Sequence, residues 1–196
     1  MTFQWYPQQE YGFLDIKPRE YDKAYFDKYV EYEKTSRGQA ITQARMDFVD
    51  RWHSGPLLDV GIGSGHFVAS RGETCGFDVN PQGVLWLKER GLFRDPMDTV
   101  FPAYSFWDSF EHIKTPQALL DSMPKGTKIF MSIPVFDDAG HALRSKHFRP
   151  DEHFWYFTVP GLIKFFALRS FVCLDIERFE IDLGREDIRS FVFQRI

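Results

Sequence analysis

Residues 57–65 read Leu57-Leu58-Asp59-Val60-Gly61-Ile62-Gly63-Ser64-Gly65, an apolar run that turns acidic at Asp59 and then breaks into glycine at every second position. The apolar run suits a strand buried on both faces, as in a parallel sheet. The glycines allow positive φ and let backbone N–H groups approach a ligand with no Cβ in the way. Their spacing separates classes of ligand. A dinucleotide turn is G-x-G-x-x-G, its third glycine packing the helix on the strand and the pyrophosphate lying at the helix N-terminus. Here His66 stands at that third place and the glycine comes earlier, at Gly65. Asp59 adds a negative charge that pyrophosphate would not favour and that an ammonium group would. The stretch therefore points to an amino-acid-containing nucleoside; the alternative is a tight strand-to-helix turn that holds nothing.

The flanking segments extend the pattern. Thr74–Val79 is a second apolar strand ending in an acid, Asp78, placed where a carboxylate at the neighbouring strand end can accept from ribose hydroxyls. Asn80-Pro81 reads as the cap and first residue of a helix that runs through Val84, Leu85 and Leu87 and stops at Gly91. Ala103–Trp107 reads as another strand, followed by Asp108-Ser109-Phe110-Glu111-His112 where that strand meets the ligand edge. Thr115-Pro116 opens a helix, Thr127–Ile133 forms a strand, and Thr158 caps a helix over Leu162–Leu168. Two strand-like runs close the chain, Phe171–Ile181 and Ile188–Ile196, joined by so short a polar turn that they pair antiparallel.

Asp59–Gly65 resembles the first motif of the class I S-adenosylmethionine-dependent methyltransferases, and Asp108–His112 resembles the segment after their fourth strand, usually Asp, a few variable residues, then Glu-His. The similarity runs from about residue 40 to Ile196 and is strongest to small single-domain members, phage-encoded ones included. It implies an α/β fold: a Rossmann-like, doubly wound, mostly parallel sheet of about seven strands with a C-terminal antiparallel hairpin. The whole chain, 1–196, reads as one domain, with 1–38 an aromatic-rich helical lid and 39–196 the core. The implied cofactor is S-adenosylmethionine, released as S-adenosylhomocysteine, with no metal. Gly61, Ile62, Gly63 and Gly65 would shape the turn around its methionine half, Asp59 would favour the ammonium, and Asp78 with Val79 would hold the ribose. Asp95, with Asp98 as its alternative, would meet the adenine amine, and Trp107 and Asp108 would close the strand end. The helix after Gly65 is short and the third strand, Gly91–Arg94, is cramped, so the adenine side departs most from the family pattern.

Glu111 and His112 are the candidate catalytic pair: a histidine near the methyl could take a proton from an acceptor. The alternative is a structural pair that supports the cofactor loop. Tyr21, Tyr25, Tyr29 and Tyr32 recur at helical spacing, either packing on the core or covering the cofactor, where Tyr25 or Tyr29 would reach the acceptor pocket or the methionine carboxylate. Lys146–Phe157 holds further pocket candidates, His147, Arg149, His153 and Trp155. A metal there is disfavoured because Pro150 breaks any continuous helix between the two histidines, whereas the aromatics suit a planar or cationic acceptor, or simply plug the core.

Composition narrows the partners. The chain has 196 residues, 43% of them hydrophobic, enough for one full core, with a mean hydropathy of -0.35. Net charge is -4, which argues against a general nucleic-acid surface and leaves a small-molecule acceptor first and a protein acceptor second. Asp108-Ser109-Phe110-Glu111 replaces the Asn/Asp-Pro-Pro-aromatic segment of DNA amino-methylating enzymes, against that acceptor too. No apolar run reaches the roughly 18 residues of a membrane span and no signal-peptide pattern opens the chain, so the expected location is cytoplasmic. Cys75 and Cys173 read as buried free thiols. No feature of the sequence sets an oligomeric state. Two other functions fit the same motifs, a non-catalytic S-adenosylmethionine-binding or interaction protein and an NAD-dependent oxidoreductase; His66 and Asp59 weigh against the latter.

Overall fold

The structure, a computed structural model, describes residues 2–196. Its elements in chain order begin with strands β1 (Phe3–Tyr6) and β2 (Tyr11–Leu14) and helices α1 (Lys23–Glu33) and α2 (Ser36–Asp50). Next come β3 (Leu57–Val60), α3 (His66–Ser70), β4 (Thr74–Phe77), α4 (Pro81–Glu89) and β5 (Ala103–Trp107), the last followed by a 3-10 turn at Phe110–His112. The chain continues through α5 (Gln117–Ser122), β6 (Lys128–Pro134), α6 (Ala139–Arg144), β7 (Trp155–Phe157) and α7 (Val159–Ala167). It ends with β8 (Phe171–Glu177), α8 (Phe179–Asp182) and β9 (Ile188–Arg195).

The main sheet has the order β4-β3-β5-β6-β9-β8. Its first four strands are parallel, and β9 pairs antiparallel with both β6 and β8. Every residue of β3 and β5 is buried, as a parallel sheet covered on both faces requires. The crossovers are built locally. Asn80 accepts from the Gln82 N–H to start α4, Pro81 fills its first turn, and Gly91, at φ +69°, ends it.

Three expectations are corrected here. The sheet has six strands, because the cramped third strand is reduced to a single parallel bridge between Gly76 and Phe93 before Asp95-Pro96 turns the chain away. The run expected as a strand through Ile181 stops at Glu177; α8 follows, turning the fully buried Glu180 carboxylate inward toward two arginines. Of the segment 1–38, expected as a helical lid, the described residues 2–38 are only partly helical. β1 and β2 form a hairpin that pairs with β7 in a separate three-stranded antiparallel sheet. Aromatic side chains knit that sheet together, with Phe3 edge-on to Tyr156 at 5.3 Å and Phe13 against Trp155 at 4.7 Å.

Candidate active site

One cavity of about 710 Å3 lies at the carboxyl ends of β3, β4 and β5 and runs beneath α1. Its floor is the glycine turn. Gly61 and Gly63 hold φ of +85° and +55°, conformations that cost L side chains steric energy. A Cβ on Gly61 would sit 2.5 Å from Ser109 Cβ, whereas one on Gly63 would meet nothing within 4 Å, so the turn closes on the protein at Gly61 and is open at Gly63. Ser109, from the segment after β5, donates to the Val60 carbonyl and ties the two loops together.

Asp78, at the end of β4, receives the Ile62 N–H at 3.0 Å and the Asn80 N–H at 2.7 Å, one on each oxygen. Both oxygens keep a lone pair for a ligand hydroxyl. Burial raises its pKa, against the pull of those N–H groups. Asp59 is buried and accepts from Ser105 Oγ at 2.6 Å; burial pushes its pKa up to about 7, so a cationic group arriving in the cavity would find a carboxyl ready to ionise. Trp107 also lines the cavity, and its buried indole N–H has no acceptor among the described residues. Asp95 is fixed at the far end by the Met97 N–H at 2.9 Å.

The opposite end is aromatic and titratable. Tyr21, from the segment just before α1, and Tyr25 and Tyr29, from α1 itself, line this end, with the Tyr25 and Tyr29 hydroxyls 3.2 Å apart. Burial raises the pKa of all three, so they stay protonated. The Tyr21 hydroxyl lies 2.9 Å from His112 Nδ1. Desolvation lowers the His112 pKa to about 4, leaving a neutral ring. Glu152 completes the wall, its buried carboxylate held by Arg19 and, at 3.0 Å, by Arg149.

Beneath this end lies a four-charge network. Asp108, at φ +54°, accepts from Arg185 through both oxygens at 2.8 and 3.0 Å and from Arg45 at 2.9 Å. Glu180 accepts from the same two guanidiniums, from Arg45 at 2.8 Å. Two arginines against two carboxylates leave no net charge. Burial alone would raise the Asp108 pKa, but Arg185 and Arg45 together hold it well below the usual carboxylate range.

The cofactor-side residues read from the sequence, Gly65 excepted, line this single cavity, as do Tyr25, Tyr29 and His112. The others lie elsewhere. Gly65 caps α3, where a Cβ would sit 2.9 Å from the Trp86 ring, so its smallness serves helix packing. Trp155 belongs to β7 and spends its indole N–H on the Ile113 carbonyl at 2.9 Å. His147 bonds the Glu186 carbonyl, and Arg149 reaches the site only through Glu152. Glu111 and His153 are buried behind His112, with His153 Nε2 3.9 Å from Glu111 Oε1. Desolvation lowers the His153 pKa, and burial with the nearby Asp108 raises that of Glu111. Sequence reasoning missed Arg19, Arg45, Glu152 and Arg185 as parts of the site. Tyr21 carries the periodic tyrosine signal already noted, but the arginines are isolated charges whose partners lie far along the chain.

Neither a family model nor a curated protein matches the sequence. Solved structures do match the fold. The glycopeptide N-methyltransferase MtfA complexed with S-adenosylhomocysteine aligns with a TM-score of 0.57 at 13% identity, over 79% of this chain and 87% of that one. The [4+2]-cyclase SpnF aligns with a TM-score of 0.59 at 15% identity, over 95% and 86%. A complex of the Haloferax volcanii Trm112 methyltransferase activator and the putative methyltransferase gives a TM-score of 0.64 at 12% identity, over 88% and 96%. These matches, together with four parallel strands closed by an antiparallel pair, show that the chain has the class I S-adenosylmethionine-dependent methyltransferase fold.

Proposed function

We propose that the protein transfers the methyl group of S-adenosylmethionine to a small-molecule acceptor. The observation that carries this reading is one continuous cavity that joins the glycine turn and two acids at one end to His112 and three tyrosines at the other. The fit of the nucleoside rests on the open Gly63 face, the free lone pairs of Asp78 and the unpaired Trp107 indole N–H. MtfA, crystallised with S-adenosylmethionine, S-adenosylhomocysteine and sinefungin, gives independent support for this cofactor. When bound, the cofactor would supply an electrophilic methyl group on a sulfonium.

The chain's own contribution is alignment and charge. Asp59 favours the ammonium, Asp78 the ribose hydroxyls, and Asp95 the adenine amine. Alignment of two reactants can lower a barrier by about 7–11 kcal/mol. Tyr25, Tyr29 and Phe154 provide apolar and hydroxyl surface for a ring-bearing acceptor and exclude water from the methyl. Tyr21 fixes the His112 ring, and burial keeps that ring neutral and able to accept the acceptor's proton.

Calorimetric titration with S-adenosylhomocysteine and with NAD tests binding, and incubation of the protein with methyl-labelled cofactor and fractionated small-molecule extracts tests transfer. The expected result is saturable heat with the former only, and label in a small product. His112→Ala is expected to lower turnover about 10²- to 10⁴-fold while leaving S-adenosylhomocysteine affinity within a few-fold, as for loss of a general base. SpnF, a cyclase on this fold, makes binding and transfer separate questions. Binding with no label moved into any acceptor would support the non-catalytic reading, and absence of binding would overturn both.

A further inference from the structure

We propose that Glu111, His112 and His153 bind one divalent transition-metal ion of the zinc and manganese class at the acceptor end of the cavity. The sequence reading expected no metal, and no local motif announces this set, because His153 lies far along the chain from Glu111 and His112. The fold brings them together. The Phe154 N–H donates to the Glu111 carbonyl at 2.9 Å and the Trp155 indole to the Ile113 carbonyl at 2.9 Å, so the two residues that follow His153 are clamped to the chain on either side of His112.

One ligand atom from each of the three residues lies within 4.8 Å of the other two. Ligands about 2.0–2.2 Å from a zinc ion stand roughly 3–4 Å apart, so small side-chain shifts complete the set. The rings of His112 and His153 meet edge to face, with centroids 4.6 Å apart. No hydrogen bond satisfies this group internally. Glu111 Oε2 is buried without a partner among the described residues, and its other oxygen is 3.9 Å from His153 Nε2, too far for one. A buried acceptor left unpaired costs free energy comparable to a lost hydrogen bond, and an ion would remove that cost. With Nδ1 of His112 held by the Tyr21 hydroxyl, Nε2 is the nitrogen left to ligate, and Tyr21 becomes the outer partner that metal-bound imidazoles typically use.

Two imidazoles and one carboxylate suit zinc, manganese, iron or cobalt, whereas magnesium prefers oxygen ligands and keeps its waters. Only His112 of the three lines the cavity, so the open coordination position faces the acceptor. Resting on the methyl-transfer reading, this selects an acceptor that carries a hydroxyl oxygen able to reach the ion; bound there, the hydroxyl loses its proton to solvent at a lowered pKa, so that in the metal-loaded protein His112 serves as a ligand in place of the proton acceptor of the metal-free reading, and oxygen is the atom methylated.

The full chain, treated with a chelator and dialysed, is titrated with Co2+ and followed by visible absorption, with Zn2+ and Mg2+ as competitors. One equivalent of Co2+ is expected, displaced by Zn2+ and not by Mg2+. Glu111→Gln and His153→Asn should each weaken Co2+ binding at least about 10-fold. Glu111→Asp, which keeps a carboxylate, should bind more tightly than Glu111→Gln, and His53→Asn, at a histidine remote from the site, should change nothing. Absence of saturable Co2+ binding by the wild-type chain, affinity unchanged in both ligand variants, or equal competition by Mg2+ would overturn the site. S-adenosylhomocysteine titration of the same samples reports folding and the nucleoside end independently. A protein that binds S-adenosylhomocysteine but no Co2+ refutes the metal while leaving methyl transfer standing.

Discussion

Asp59 is the residue on which local sequence and tertiary burial meet most directly. Its carboxyl titrates near the usual carboxylate value of about 3.9 when unfolded, and burial raises it to about 7 in the folded chain. Between those values the folded state holds a proton that the unfolded state has lost. The stability linked to Asp59 is therefore fully present below pH about 4 and is lost as pH rises through about 7. Urea denaturation of the ligand-free protein should show Asp59→Asn gaining on wild type as pH rises from about 5 to 8. S-adenosylhomocysteine should reverse that trend, since its ammonium favours the ionised carboxyl: affinity tightens with pH across the same window in wild type and stays flat in Asp59→Asn. Equal pH slopes for the two proteins would show that Asp59 does not titrate there. The sequence made this residue readable because strand, acid and glycine turn are contiguous. Glu152 was not readable in the same way, since its importance comes from Arg19, on a segment remote in sequence.

At the scale of elements, the same distinction separates what local chemistry announces from what packing decides. The α4 helix was legible in full, because Asn80, Pro81 and Gly91 mark its ends. The β1–β2 hairpin was also written in the chain, as Phe3 and Trp5 alternating with polar residues, then Tyr11 and Phe13 after Pro7. The stronger tyrosine periodicity that follows directed the reading to a helix instead. Helix α8 left no such trace. It exists to turn Glu180 inward, and Glu180 is satisfied only by Arg45 from α2 and Arg185 from the loop before β9. That network predicts an asymmetric response to mutation. Arg185→Met strips two bonds from Asp108 and one from Glu180, leaving buried carboxylates short of a partner, a change that typically costs about 3–5 kcal/mol. Because Arg185 and Arg45 depress the Asp108 pKa, its contribution is present above the unfolded value near 3.9 and is lost as pH falls below it. Denaturant melts should therefore show the penalty at neutral pH, shrinking below pH about 4. A neutral-pH loss under about 1 kcal/mol would mean that the network is dispensable.

Across the whole molecule, the order of the main sheet followed from the alternation of strands and helices, while the second sheet could not, because β7 joins β2 across most of the chain. This division has a dynamic consequence. The main-sheet side is anchored by α2, where Ile41, Phe48 and Val49 are buried. Helix α1 has no buried residue and lies over the cavity through its half-buried tyrosines, tied at its start by the Asn80 side-chain amide bond to the Asp22 carbonyl at 3.0 Å and at its end by the Thr42 hydroxyl bond to Glu33 at 3.0 Å. An element with few buried apolar contacts opens locally before the protein unfolds globally. Hydrogen exchange in the free protein should accordingly be faster for α1 amides than for α2 amides. If the cavity holds S-adenosylhomocysteine against Tyr25 and Tyr29, opening of α1 must first release the ligand. At a ligand concentration of about 100 times Kd the opening cost then rises by roughly 2.7 kcal/mol, slowing α1 exchange about 100-fold. Amides of α2 that exchange only by global unfolding should slow by the same factor, so the two helices shift together on saturation. Protection confined to α2 would mean that α1 moves without touching the ligand, and would remove the tyrosines from the acceptor end of the site.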